Sequence, residues 1–550
     1  MNQIELKLKK WLQSGIKEGF AIDLDLDEIV IEIPKEKEHG DYSSNVAMRL
    51  SKQCKKSPRD VASQLIEILS PQSDLVDRCE IAGPGFINFF LDSKSISGVI
   101  ATVLQQQECY GASHTGQGIK VNLEYVSANP TGDLHPGHAR GAAIGDSVAR
   151  LLKLSGYEVC REYYVNDAGN QMMNLALSTQ ARYFEHFGLS FEIPEDGYYG
   201  SDIIEIAKDF AEEYGDKYLN INKEESLSVF KAYAYKKELN KLKEDLKSFN
   251  VEFDVWSSET AIYDRGLVKK ALNTLIEQGV TYHEEGALWL NTTQFGDDKD
   301  RVLQKSDGSY TYLMPDIAYH LDKLDRKFDK LVDFFGADHH GYIQRLKAAI
   351  QALGHSSDKL DVDIIQMVRM IKDGEEFKMS KRSGKAVALR DLLDEAGVDA
   401  VRYYFASRAT DTQMDFDLNM AVKQSNENPV YYAQYAHARM CSILRLAEND
   451  GFEVSTETDL IKDPKELALC KHINEFTGIV SEAAKNRQPH RMCNYIRTLA
   501  QYFHSFYTDC RVVDKENPTL SSQRLALVTA TKITLKNALN CIGVSAPEKM

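Results

Sequence analysis

The sequence predicts an α/β protein, with a doubly wound, Rossmann-type parallel sheet at its centre, an α+β unit before it and an all-α helical bundle after it. Three observations carry this expectation. From about residue 118, apolar strands alternate with helices, the pattern of a parallel sheet. From about residue 386, helix follows helix. The chain has 550 residues, more than one hydrophobic core accommodates, so several domains are required.

The first unit is expected over 1–112. Ile4, Leu6, Leu8, Trp11 and Leu12 set among charges make "MNQIELKLKKWLQSGIKEGFAIDL" an amphipathic helix and not a secretory signal. "DEIVIEIPK" alternates like a strand, "EHGDYSSN" reads as a glycine-bearing loop, and "NVAMRLSKQC" as a helix. "SPRDVASQLIEIL" opens another helix, with Ser57 as cap and Pro58 in the first turn. "CEIAGPGFINFFL" gives two strands around a Gly-Pro-Gly turn, and "YGASHTGQG" marks the boundary.

The central unit is expected over 113–385. Its strands are "KVNLEYVS", "YEVCREYYVND", "KLVDFFGADHH" and "VDIIQMVRMI", with helices after Gly137 and in "GYIQRLKAAIQAL". Between about 175 and 312 the chain turns to charged helices, such as the one placing Leu239, Leu242 and Leu246 on one stripe. That reads as an insertion between two halves of the sheet. The segment 386–550 is the expected helical bundle.

Composition excludes several classes. No apolar run approaches the ~20 residues of a membrane span. The nine cysteines are scattered without zinc spacing, which suits a reducing cytoplasm and no structural metal. The 66 Lys and Arg against 82 Asp and Glu leave a net charge of −16, which opposes indiscriminate polyanion binding but leaves room for local basic faces.

Two stretches carry chemistry. In "ANPTGDLHPGHARGAAIGDSV" a strand ends in a turn that feeds a helix, so unpaired backbone N–H groups and the positive dipole end should face a phosphate. Gly137, Gly141 and Gly145 let a ligand or another backbone approach, and His135 and His138 add donors. "DGEEFKMSKRSGKAV" then follows a strand with Lys378, Lys381, Arg382 and Lys385 in a loop rich in Ser and Gly.

Together, "HPGH" and "KMSKR" resemble the His-Ile-Gly-His and Lys-Met-Ser-Lys-Ser signatures of class I aminoacyl-tRNA synthetases, departing at Pro136 and Arg382. Within that class the chain is similar to the arginyl-tRNA synthetases over nearly its whole length. The segments "HGDY", "IAGPGFINF", "EYVSANPTG", "VNDAGNQM", "FDVWSSE", "YLMPDIAYH", "GADHHGYIQR", "DAVRYYF", "NPVYYAQYAHAR" and "APEKM" stand in that family's order.

The resemblance implies an arginine–tRNA ligase that makes arginyl-adenylate from ATP and transfers arginine to the 3′ end of tRNA(Arg). ATP enters as substrate, Mg²⁺ comes bound through its phosphates, and the protein itself holds no metal. The implied catalytic residues are His135, His138, Lys378 and Lys381, and ATP would also meet Gly137, His339, Met379 and Ser380. Glu124 and Asp316 match the guanidinium-binding carboxylates, with Tyr312 beside them. Ser127, Asn129 and Gln344 match residues holding the amino and carboxylate groups. Two carboxylates suit a forked cation that cannot shed its charge, and no editing domain is then needed.

The resemblance further implies a tRNA-elbow-binding first domain, where Asn88 is a candidate contact, and an anticodon-binding last domain. There Tyr431, Tyr435 and Arg439 share a helical spacing of four, and Arg487 and Arg491 cluster in "AAKNRQPHR"; these residue types suit splayed bases and phosphates. A cytoplasmic monomer with no membrane partner completes the expectation. The rival readings are another class I synthetase, for cysteine or glutamate, and a paralogue without catalysis.

Overall fold

The structure, a computed structural model, describes residues 3–34, 36–69, 75–377 and 387–550. In the first unit the helix Gln3–Phe20 buries Ile4, Leu8, Leu12 and Ile16, a strict spacing of four that forms one apolar stripe. The stripe packs beside the helices Val46–Cys54 and Pro58–Leu69 on an antiparallel sheet of β1 (Tyr42–Ser44), β2 (Val76–Ala82) and β3 (Phe86–Leu91), ordered β1-β3-β2. Ser57 caps as expected, its hydroxyl accepting from the Asp60 N–H at 3.2 Å.

Over its described residues, 27–34, "DEIVIEIPK" is not a strand. It makes an isolated bridge, Glu32 to Ser43, beside a three-residue β1, and Pro34, which has no N–H, ends the pairing. The expected loop "EHGDYSSN" instead contains β1.

The central sheet is parallel throughout. Its strands are β4 (Lys120–Glu124), β5 (Glu158–Val165) and β6 (Val255–Ser258), joined later by β10 (Lys330–Gly336) and β11 (Leu360–Ile365); the order is β11-β10-β4-β5-β6. Chain order reverses between β4 and β10, where such sheets open a crevice at their carboxyl ends.

The expected insertion proves to be two. Helices Asn170–His186, Ser201–Tyr214 and Lys223–Ser248 precede β6, and a three-stranded antiparallel sheet of β7 (Thr281–Glu284), β8 (Ala287–Leu290) and β9 (Arg301–Gln304) follows it. At four residues, β6 carries too short an apolar signal to stand out in the sequence.

"VDIIQMVRMI" also divides, into β11 and β12 (Val368–Lys372). The latter pairs with β13 (Glu375–Glu376) and, in parallel, with β14 (Met414–Asp417), so a strand lies within the stretch expected to be helical. Beyond it stand the long helices Pro429–Asn449, Pro464–Lys485, His490–Asp509 and Pro518–Cys541. No helix of the described residues is long and apolar enough to cross a membrane.

The parts lock at a buried ion pair. Arg402 donates to Asp146 at 2.5 Å and to the carbonyls of Ile542 at 2.9 Å and Phe249 at 3.0 Å, joining the helix Pro136–Leu154 to the end of the last helix and to the first insertion.

Candidate active site

A cavity of about 940 Å³ opens where β4, β10 and β11 end. It is bounded on one side by the start of the helix Pro136–Leu154 and on the other by the start of the helix Leu313–Asp325.

The backbone N–H groups at the first of these starts are occupied, which corrects the expectation of a bare phosphate-binding helix end. His135 Nδ1 accepts from the N–H of Gly137 at 3.0 Å and of His138 at 3.3 Å, and Ala139 bonds the His135 carbonyl. His138 Nδ1 accepts in return from the His135 N–H at 3.4 Å, and the two rings stack with centroids 3.5 Å apart. With each Nδ1 accepting, the neutral rings carry their hydrogens on Nε2, so the donors available to a phosphate are imidazole N–H groups.

Burial lowers the proton affinity of both rings, and His135 lowers it further for His138, whose pKa falls to about 3. Gly137 is required here because a Cβ would stand 2.8 Å from the His135 ring. At Gly145 a Cβ would strike the Tyr125 ring at 2.3 Å, whereas Gly141 faces the cavity, its nearest contact being Ile365 at 3.5 Å. Asn129 lines the same wall and donates to Gln171 at 2.6 Å.

The opposite wall is acidic. Asp316, in the first turn of its helix, is pushed up to about 6 by burial, while the Tyr342 hydroxyl that donates to it favours the carboxylate. Glu124 accepts from Ser127 Oγ at 2.9 Å and from Lys323 Nζ at 2.5 Å. Ser127 also accepts from the Tyr164 N–H at 3.1 Å, so its hydroxyl holds Glu124 in place. The backbone there is strained, Val126 and Ser127 having φ of +70° and +40°. Glu259, at the first position after β6, lines the cavity too; burial raises its carboxyl and the Tyr164 hydroxyl bonds it.

The other expected residues divide between the cavity and its surroundings. Tyr312 lies at the mouth, 88% exposed, and the tyrosine on Asp316 is Tyr342. Gln344 is exposed, its amide 3.2 Å from the Cβ position of Gly296, and is not in the cavity wall. On its helix Tyr342 and Leu346 face the cavity, which turns position 344 away. His339 lines the cavity and packs edge-on against Phe335. Lys378, Met379, Ser380 and Lys381, with Arg382, lie outside the described residues. The described chain resumes close to the histidines, the Leu389 N–H donating to the Leu134 carbonyl at 2.6 Å.

Three tRNA candidates are engaged within the protein. Asn88 is buried and accepts from Ser43 Oγ at 2.8 Å across the β1–β3 pair. Arg487 forks onto Asp361 and Asp363 of β11, fastening the helical domain to the sheet. Arg491 pairs with Glu482 at 2.9 Å. Tyr431 and Tyr435 stack nearly parallel, 6.2 Å apart, and Arg439 lies over Tyr507 beside them.

Comparison with known proteins fits this geometry. Residues 4–91 match the arginyl tRNA synthetase N-terminal domain, 99–442 the catalytic domain of class I (R) tRNA synthetases, and 433–550 the DALR anticodon-binding domain. The chain belongs to the arginyl-tRNA synthetases.

This arginyl-tRNA synthetase is 53% identical to arginine–tRNA ligase 1 of Halalkalibacterium halodurans over the whole of both chains. It is 54% identical to the arginine–tRNA ligase of Bacillus subtilis, over all of this chain and 99% of that one. Its fold is that of the Thermus thermophilus arginyl-tRNA synthetase, with a TM-score of 0.75 at 22% identity, over 99% of this chain and all of that one. The enzyme is an arginine–tRNA ligase with ATP as substrate.

Sequence reading missed Tyr342, Glu259, His320 and Lys323. "DIAYHLDK" held a signal for two of them: Asp316, Tyr319, His320 and Lys323 recur at i, i+3, i+4 and i+7 and share one buried helical face.

Proposed function

We propose that the 940 Å³ cavity binds arginine and ATP together, arginine's side chain at the acidic wall and the α-phosphate at the stacked histidines. The carboxylate of arginine attacks the α-phosphorus, pyrophosphate leaves, and a ribose hydroxyl of the terminal adenosine of tRNA(Arg) then takes the arginyl group as AMP departs. Neither step needs a protein nucleophile; alignment and positive charge near the phosphates do the work.

Asp316 and Glu124 receive the guanidinium, with Tyr342 and Glu259 beside them. Asn129 holds the backbone end of arginine, and the Nε2–H groups of His135 and His138 donate to the α-phosphate. Lys378 and Lys381 neutralise the β and γ phosphates. Asp338, whose charge reaches His135, is a hard oxygen donor that would suit a Mg²⁺ ion carried in with ATP, which would supply further positive charge there. Tyr431, Tyr435 and Arg439 offer stacking and charge to tRNA bases, and the enzyme works as a cytoplasmic monomer.

The observation that carries this reading is the single cavity joining a neutral, donor-bearing histidine pair to a buried acid without a cation. Arginine-dependent ATP–pyrophosphate exchange with and without tRNA tests it. Exchange that requires tRNA is expected. Full exchange without tRNA would remove the tRNA requirement, and no exchange in either case would favour a paralogue without catalysis.

A further inference from the structure

Behind the acidic wall, three carboxylates stand in one row across three neighbouring strands. In the sheet register Glu124 of β4 is paired with Glu162 of β5 on one side and with Asp333 of β10 on the other. In a parallel sheet paired residues project to the same face, so these acids are crowded together, and all three are buried.

The helix Leu313–Asp325 and its C-cap bring a cation to each. Arg326 donates to both oxygens of Glu162, at 2.9 and 2.8 Å. Lys323, fully buried, sits between the other two, its Nζ 2.5 Å from Glu124 and 3.0 Å from Asp333. His320 closes the set, Nε2 lying 2.9 Å from Asp333 and Nδ1 2.8 Å from the Asp316 carbonyl.

Two cations, Arg326 and Lys323, therefore answer the three acids. Beside this row the half-buried Asp316 and Glu259 have, among the described residues, no Lys or Arg within ion-pair distance; tyrosine hydroxyls meet them instead.

We propose that Lys323 is a specificity-determining positioning residue, which fixes Glu124 as an aimed carboxylate and cancels the surplus charge of the row, so that the charge left for a substrate to neutralise lies at Asp316 and Glu259. The inference rests on the arginine reading of this cavity and extends it to a residue that touches no substrate. Nothing apolar of the same length could act so. Without the ammonium, Glu124 and Asp333 are like charges side by side in a dry site, and at least one takes up a proton. Burial alone would lower the Lys323 ammonium, yet Asp333, Glu124 and Glu162 together hold it above its ordinary value. The groups facing it are those three acids from the sheet, with Tyr319 and His320 from its own helix.

The test is pyrophosphate exchange with saturating tRNA, from pH 6 to pH 9, on Lys323→Met. At pH 7 the KM for arginine is expected to rise at least tenfold with the KM for ATP within twofold, and the penalty should shrink toward pH 9 as Glu124 regains its charge. A KM for arginine unchanged at pH 7, or raised by one factor at every pH, overturns the proposal.

Should the single variant not fold, Lys323→Met/Asp333→Asn removes a charge of each sign and the like-charge repulsion, but still strips Glu124 of its aiming cation; it must still raise the KM for arginine with the KM for ATP within twofold, and a KM for arginine left unchanged overturns the proposal. Glu124→Gln separates the two layers of the argument. No effect of Glu124→Gln on arginine would sink the pocket reading itself. A Glu124→Gln effect without a Lys323→Met effect would sink only the inference.

Discussion

The imidazoles of His135 and His138 cap each other's backbone, each Nδ1 accepting from the other residue's N–H, with ring centroids 3.5 Å apart. This reciprocal bond fixes both tautomers and turns both Nε2–H groups into donors. It also answers why a glycine separates the pair: His135 can fold back over position 137 only if no Cβ is there.

The tautomer is testable by amide mimicry. Asparagine places its amide near the Nδ1 position and glutamine near Nε2, so His138→Gln should retain much of the kcat that His138→Asn loses. For loss of one such donor a fall of about 10²–10³ in kcat is expected. Equal losses in the two variants would mean that Nε2 carries no contact of consequence.

Because His138 keeps its neutral form down to about pH 3, its protonation should leave no inflection in kcat between pH 5 and pH 8. A titration in that window that disappears in His138→Gln would contradict the assignment.

Asp316 behaves oppositely. Its free carboxyl titrates near pH 6, and a guanidinium favours the charged form, so bound Asp316 titrates lower. Arginine affinity should therefore rise as pH increases through about 6, with protons released on binding below that pH. The KM for arginine, measured from pH 5 to pH 8, checks this; a flat profile would show Asp316 already ionised.

Lys381→Ala should lower kcat more than it raises the KM for ATP, since charge on the β and γ phosphates grows in the transition state. A pure KM effect would assign the lysine to ground-state binding.

Arg402→Met leaves buried Asp146 with Arg150 as its remaining cation and should cost about 3 kcal/mol of stability. The urea midpoint reads this, and an unmoved midpoint would make the three-way junction dispensable.

What the sequence made legible followed from long periodic segments. The sheet strands after Lys120, the histidine helix and the four long C-terminal helices carry enough apolar residues in register to announce themselves. What it hid was set by tertiary pairing. β6 has four residues, and "DEIVIEIPK" alternates correctly but, among the described residues, finds only one bridging partner. At the site, motif and charge point to His135, His138 and Asp316, and the structure brings these three to one cavity. The contacts that Asn88, Arg487 and Gln344 make within the protein were not legible, because which residue a polar side chain meets depends on neighbours far away in the chain. Asp363, for example, lies 124 residues from the Arg487 it holds.

The central claim is that one cavity holds arginine by its acidic wall and ATP by its histidines, and Asp316→Ala tests it most directly. In pyrophosphate exchange with tRNA present, the KM for arginine should rise by about 100-fold or more, as removing a partner of a buried charged hydrogen bond costs about 2–5 kcal/mol, while the KM for ATP stays within twofold. Arginine use unaffected by the substitution, or a loss falling on ATP instead, would contradict the account.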